Sequence, residues 1–303
     1  MTSVAFPDRI LQITVSVTRP NPQSGAAQTS TYVWQQNRMR VQIRNGGAQF
    51  GNARVEVFGV PLNDMNNIAR LWLEALTPQN NDTIQISVWN GQTFTPLFQG
   101  VIAWSAVDAS GIPHVKLVIE ANASFILANT TASPYANAGP VTLQAALMTL
   151  ATMGGLTVNY AASAPQYQLT DVRLTGSPLD QIGGLMRHFP DLTWTINLQQ
   201  LIVRAALAPI NSDSVRIAVD TGMQSAPVYS TSGLQVATLF NPQIRPGVTL
   251  DVETVFDFVN RTVWVASVIE HELDANVFSG EWTTRIAANS YGAKGNNSGN
   301  ATT

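Results

Sequence analysis

The densest run of side chains able to do chemistry is Glu270-His271-Glu272-Leu273-Asp274. Read as a strand, it puts Glu270, Glu272 and Asp274 on one face and Ile269, His271 and Leu273 on the other. A His-Glu pair opens the zinc-protease motif, but that motif needs a second histidine four residues on, and Ala275 stands there. As a glycosidase pair, Glu270 and Glu272 would lie ~6.5 to 7 Å apart along one strand, between the separations of retaining and inverting enzymes. Nothing near them supplies the apolar pocket that raises one carboxyl pKa. The other reading is an acidic face turned to water, widened by Asp251 and Glu253, which alternate in the same way on the preceding strand. His114, His188 and His271 have no second histidine at ligand spacing, and the chain has no cysteine. It also lacks a GxGxxG turn, a Walker loop and a GxSxG elbow. No catalytic residue, metal ligand or cofactor is therefore expected.

A second charged pattern mirrors the first. Arg38, Arg40 and Arg44, with Gln42 among them, alternate against Met39, Val41 and Ile43 and form a basic stripe. Residues 1–60 carry six arginines against two acids, whereas residues 205–303 carry five basic against nine acidic groups. Such ends attract one another, and the stripe is expected to meet acidic groups of an adjacent subunit. Across all 303 residues only 12% are charged and the net charge is -3. No basic surplus argues for gripping nucleic acid. A surface made polar by Asn, Gln, Thr and Ser suits a chain covered by neighbours on several sides.

The elements that position these residues are mostly strands. Ile13, Val15 and Val17 alternate with polar neighbours, as do Met39, Val41 and Ile43, with a loop over Arg19 to Ser30 between them. After a strand at Val55 to Phe58, Asn63 or Asp64 is expected to cap a short helix through Ile68, Leu71, Trp72 and Leu76, ended by Pro78. Strands resume at Ile84 to Trp89, Leu97 to Trp104 and Val115 to Glu120. The stretch Asn129 to Pro140 reads as a linker. Beyond it Thr142 caps a helix that Gly154-Gly155 ends, Ser177-Pro178 opens another, and strands at Leu192 to Ile196 and Leu201 to Arg204 close a compact α/β module. From Ala205 onward β signals return without a clear helix. An offset of 166 residues carries Ile84 onto Leu250, Phe98 onto Trp264, Asp108 onto Asp274 and Ala121 onto Ala287. Alternating strands match one another readily, so by itself this offset marks only a candidate duplication. The N-terminus does not read as a signal peptide, the most apolar window, Val141 to Val158, is too interrupted to span a membrane, and residues 292–303 are expected to be disordered.

Taken in order, several segments resemble phage baseplate hub proteins, a family related to the hubs of contractile-tail baseplates and type VI secretion spikes. The first module resembles it at Val55-x-Val57-x-Gly59, a short helix, and Phe98-Gln99-Gly100-x-Ile102. The last resembles it at Thr221-Gly222-Met223 through Pro227, Ser232-Gly233-Leu234, Leu239-Phe240-Asn241-Pro242 and Gly247. There Leu234 stands where valine is more usual. The strand Val263 to Val268, running into Glu270-His271-Glu272-Leu273-Asp274 and then Trp282-Thr283-Thr284, continues the likeness.

What the resemblance implies is a mainly β chain with a small α/β insert: two tube-like β-barrel modules, residues 1–128 and 206–291, flank an α/β module at 140–205. It further implies a homotrimer whose six β modules adapt a six-fold tail tube to a three-fold central spike and let DNA pass. Tail tube protein, central spike protein, tape-measure protein and other baseplate proteins are the expected partners, in the virion and without membrane insertion. Asp251, Glu253, Glu270, Glu272 and Asp274 are then expected to line the channel, where carboxylates repel phosphate. The alternative is a tail-tip glycan-binding or peptidoglycan-degrading protein, in which Trp34, Trp72, Trp89 and Trp104 would stack on sugars.

Overall fold

A computed structural model of the chain describes residues 9–21, 24–47, 50–69, 82–231 and 233–294. The expected helical residues Leu71, Trp72 and Leu76, with Pro78, lie outside these residues, as do Ser232 and 295–303 of the tail. The chain is mainly β with a small α insert.

Alternation of apolar and polar side chains builds the first β unit, from β1 (Leu11–Pro20), β2 (Ala27–Trp34), β3 (Met39–Gly46), β4 (Asn52–Phe58), β5 (Thr83–Trp89), β6 (Phe94–Asp108) and β7 (Lys116–Asn122). In β3, Met39, Val41 and Ile43 are buried while Arg40, Gln42 and Arg44 are exposed. A short helix, α1 (Leu62–Ile68), buries Met65 and Ile68 beneath the sheet. It starts at Leu62 after Pro61 with no side-chain cap, so neither Asn63 nor Asp64 caps it. The expected loop over Arg19 to Ser30 is shorter than its bounds, because β1 runs to Pro20 and pairs antiparallel with β2, which begins at Ala27. Polar alternation in Ala27 to Thr31 hid that edge strand.

The middle unit holds α2 (Phe125–Asn129), β8 (Tyr135–Thr142), α3 (Leu143–Met153), β9 (Thr157–Tyr160), β10 (Gln168–Leu174), α4 (Pro178–Met186), β11 (Leu192–Asn197) and β12 (Gln200–Ala205). The expected linker is in part a strand, since β8 pairs with β10 despite its Ala, Asn and Gly content. Thr142 caps α3 by accepting the Ala145 N–H at 3.2 Å. Ser177 and Asp180 form a capping box on α4, with Pro178 in the first turn. Gly154 is needed at the end of α3, where a Cβ would stand 2.3 Å from Leu127 Cδ2 of α2. This unit has no core of its own: Leu147, Leu150, Ile182 and Val203 belong to the same buried cluster as Leu11, Val41 and Val55 of the first β unit.

The second β unit contains β13 (Ser214–Ile217), β14 (Val228–Ser230), β15 (Gly233–Leu239), β16 (Thr249–Val252), β17 (Thr262–Ala275) and β18 (Trp282–Ala293), with a four-residue helix α5 (Asp257–Asn260). It packs around a smaller cluster centred on Trp264. β18 continues to Ala293, so the chain is ordered two residues into the segment expected to be disordered. The first unit's order β3-β4-β7-β6-β5 returns as β14-β15-β18-β17-β16, antiparallel throughout. The offset of 166 residues thus overlays β5 on β16 and β6 on β17, while β7 matches the start of β18 at one residue less, since Glu120 stands opposite Trp104 and Arg285 opposite Glu270.

The two units join edge to edge through β17 and β3 in one 13-stranded sheet. Along one edge of β17, Trp264 and Val265 pair with β16, whereas Val268 to Ala275 pair with β3. That second pairing is the junction between the units.

Candidate functional site

The acidic and basic stripes meet at this junction. Antiparallel partners point to the same face, so Glu270 stands opposite Arg44, Glu272 opposite Gln42, and Asp274 opposite Arg40. Arg40 Nε donates to Asp274 Oδ1 at 3.0 Å, and Arg44 Nη1 lies 3.5 Å from Glu270 Oε1. Asp274 is the buried member. Its other oxygen accepts the Glu281 N–H at 3.2 Å, and its hydrogen bond and charge raise the pKa of Arg40.

The pattern continues to both sides. On β18, Arg285 Nη1 donates to Glu272 at 2.6 Å, and the carboxylate raises the guanidinium pKa. On β4 and β7, Arg54 reaches Glu120 at 2.6 Å and Glu56 at 3.6 Å, and Lys116 reaches Glu56 at 3.0 Å and Asp108 of β6 at 3.6 Å. All these residues share one face of six neighbouring strands. The result is a lattice of alternating charge in which six carboxylates meet five cations. Individual exposed pairs contribute ~0 to 1 kcal/mol. Here their main consequence is alignment, because a one-residue slip would turn Met39, Val41 and Ile43 outward.

Asp251 and Glu253 are not part of this lattice. Asp251 pairs with Lys294, and Glu253 is held by Arg216 through two 2.7 Å hydrogen bonds while Arg216 also reaches Asp220 at 2.9 Å. The Arg216 clamp lowers the pKa of both Glu253 and Asp220. Arg38 precedes β3 and stacks its guanidinium 4.6 Å from the Phe58 ring. The acidic partners of Arg40 and Arg44 therefore lie in the same chain, 234 residues away for the Arg40–Asp274 pair. Sequence alternation places each stripe on a face but carries no signal for a pairing so remote.

His271 points the other way, into the core. It is 3% exposed, its Nδ1 lies 3.0 Å from Thr284 Oγ1, and Phe240 packs edge-on at 5.2 Å. Burial, aided by the charge of Arg245, lowers its pKa to about 4, so the ring is neutral at pH 7. Glu270 and Glu272 each face a guanidinium, the opposite of the apolar pocket a general acid requires. Trp34 stacks on Tyr32, Trp89 packs against Phe94, and Trp104 is half-buried on β6; Trp72 lies outside the described residues. Among the described residues no group of three acidic or histidine side chains could hold a metal ion, and no helix is long and apolar enough to cross a membrane.

Solved tail and secretion proteins share this architecture. A tail protein from Neisseria meningitidis MC58 is similar at a TM-score of 0.58 with 10% identity, covering 92% of this chain and 96% of its own. A 43 kDa tail protein of prophage MuSo2 from Shewanella oneidensis gives 0.56 with 8% identity, covering 91% and 96%. The E. coli c3393 protein, a type VI secretion system component described as structurally similar to T4 bacteriophage tail proteins gp27 and gp5, gives 0.57 with 8% identity, covering 84% and 74%. At such identities the likeness is one of fold, a fold of tail proteins. No curated protein sequence matches the chain. The family model described as baseplate hub gp41 matches residues 50–276, and the chain belongs to that family. It is a structural component of a phage tail baseplate.

Proposed function

We propose that three copies of the chain form a ring of six β units that matches a six-fold tail tube to a three-fold central spike, with the charged face turned to a channel through which DNA passes. The observation that carries this reading is the duplication within one sheet. Four antiparallel steps separate β17 from β6, so the two strands run in the same direction and the β6–β7 and β17–β18 turns project from the same end. Each turn carries an exposed apolar residue at its tip, Ile112 at 77% and Phe278 at 104%, again 166 residues apart. Three chains would present six such tips at one end, which is what a six-fold partner needs, while the rest of the chain repeats only three times.

Glu270, Glu272 and Asp274 would line the channel within the lattice, and Asp251 and Glu253 would contribute from their own clamps. Their partners matter for passage: arginines already engaged by carboxylates are poor grips for phosphate, and a slight acidic excess repels a duplex over about 8 to 10 Å. Tail tube, central spike, tape-measure and other baseplate proteins are the partners in this scheme. Quantifying hub chains per purified tail tests it. Three per tail is expected, and any other number overturns the ring.

A further inference from the structure

Where the first β unit, the insert and the second β unit meet, they enclose a cleft of about 760 Å³. Its floor is one face of the three-stranded sheet β11-β12-β9. Paired residues share a face, so Thr195, Asn197, Gln200, Ile202 and Asn159 stand on this side, while Ile196, Leu201 and Val203 turn to the core shared with α3 and α4. The floor is polar, yet much of it is covered. Thr195 is 8% exposed and its Oγ1 has no hydrogen-bond partner, and Asn197 is 9% exposed. Among the described residues the side-chain amides of Asn159, Asn197 and Gln200 make no hydrogen bond, nor does that of Gln243 on the wall supplied by the second unit. Buried amides are ordinarily bonded, so this face is built for a partner.

The charge of the cleft is one-sided. Its carboxylate, Asp213, already accepts the Asn211 amide at 2.6 Å. Arg245 lines the cleft, is exposed, and reaches only Pro242 O at 3.4 Å, with no carboxylate paired to it among the described residues. Two residues beyond Ile202 on the same face, Arg204 is 6% exposed and donates to Ala208 O, again without a carboxylate. Two guanidiniums against one engaged carboxylate leave the cleft positive. The wall is also fixed in advance. Gly247, at φ +87°, packs so closely that a Cβ there would stand 2.6 Å from the Ile210 side chain, and its carbonyl accepts the Ile210 N–H at 2.9 Å. Leu198 and Gln199 turn the β11–β12 hairpin with φ of 47° and 59°, where Asn-Gly is the favoured pair, so a strained leucine is held with its side chain on the cleft.

We propose that this cleft binds an extended polypeptide segment bearing a carboxylate side chain, supplied by another protein of the tail. The inference stands apart from the ring reading above. A carboxamide carries donor and acceptor on one planar group, so it can meet the N–H and the C=O of an extended main chain together. The amides of the floor sit on neighbouring strands about 4.8 Å apart and at two-residue steps of about 6.6 to 6.8 Å, the repeat of an extended chain. Ile202 and Leu198 offer apolar contact between them. Arg245 supplies the charge-assisted hydrogen bond to the carboxylate. A glycan fits less well, because no aromatic ring lines the cleft among the described residues to stack on a sugar.

The side-chain NH₂ signals of Asn159, Asn197, Gln200 and Gln243 in nuclear magnetic resonance spectra report on the cleft directly. Titrating the isotope-labelled full chain with the capped peptide acetyl-Thr-Val-Glu-Val-Thr-amide, up to about 5 mM, should shift these signals saturably. Replacing the peptide's Glu by Gln, or Arg245→Gln in the protein, should weaken binding about tenfold. Arg245 is exposed, so its replacement leaves the fold in place, which unchanged signals elsewhere verify. Leu198→Asn/Gln199→Gly should raise the denaturation midpoint and yet weaken peptide binding, a combination that a purely structural turn does not give. Amide signals unmoved by the peptide, or equal binding of the Glu and Gln peptides, overturn the proposal. Shifts produced instead by a trimer of N-acetylglucosamine overturn it in favour of a glycan.

Discussion

The two β units share one strand order but not one environment. The first unit builds its core jointly with the α/β insert, so that Val41 and Leu147 belong to a single buried cluster. The second closes around Trp264 with a short cluster of its own. At equivalent positions, Phe98 of the first unit is matched by Trp264, and Ser105, which donates to Ile68 O at 2.7 Å, is matched by His271. β3, with eight residues, has a strand on each edge, whereas its counterpart β14 has three residues and, among the described strands, pairs with β15 alone. The two units thus share a pairing scheme but differ in what it touches: the first anchors the insert, and in the second β14 ends the sheet among the described residues.

The largest break in this comparison should come from Trp264→Ala. Its ring is 1% exposed and its Nε1 donates to Val259 O at 3.0 Å, so the change should cost about 4 kcal/mol. Because the second core is small, hydrogen exchange should report the loss in β15 to β18 before the insert.

Next in size is a pH effect confined to the second unit. His271 is buried and neutral, with its folded pKa lowered from 6.5 to about 4. On acidification the unfolded chain takes up this proton first. Stability should be flat above about pH 6.5 and fall by about 3 kcal/mol down to pH 4. Denaturant titrations should show that slope, and His271→Gln should flatten it. Ser105, at the equivalent place in the first unit, does not titrate in this range.

Smaller still is the junction. Asp274→Ala removes the acceptor shared by Arg40 and the Glu281 N–H and should cost about 2 kcal/mol, read from a lowered denaturation midpoint. Arg44→Ala, in a pair with both members about half exposed, should cost under about 1 kcal/mol. The smallest effect on folding belongs to the turn tips. Ile112→Ser and Phe278→Ser should each change stability by less than about 0.5 kcal/mol, yet together reduce the yield of assembled tails.

Much of this architecture was legible where local pattern decides structure. The alternation in β3 and β17 and the caps Thr142 and Ser177 are short-range signals, and the offset joining Phe98 to Trp264 was legible only as a match between two such local patterns. The strands that escaped notice, β2, β8, β10 and β14, lie at sheet edges or in small hairpins and bury few apolar side chains. Without a buried face, no hydrophobic period marks them. The charged face was half legible. Each stripe could be placed on its strand, but the pairing of Arg40 with Asp274 depends on a register set by the whole sheet. Asp251 and Glu253 share the acidic pattern, yet β16 follows β17 over only two residue pairs, so they end beside Lys294 and Arg216 instead.

The central claim is that two duplicated units per chain make a six-part ring from three chains. A cryo-electron microscopy reconstruction of the tail at the hub layer, computed without imposed symmetry, tests it most directly. Six similar β units in three alternating pairs are expected, with Arg40, Arg44, Glu270 and Asp274 facing the lumen. Six identical hub chains in the ring, or those four side chains on its outer wall, would contradict it.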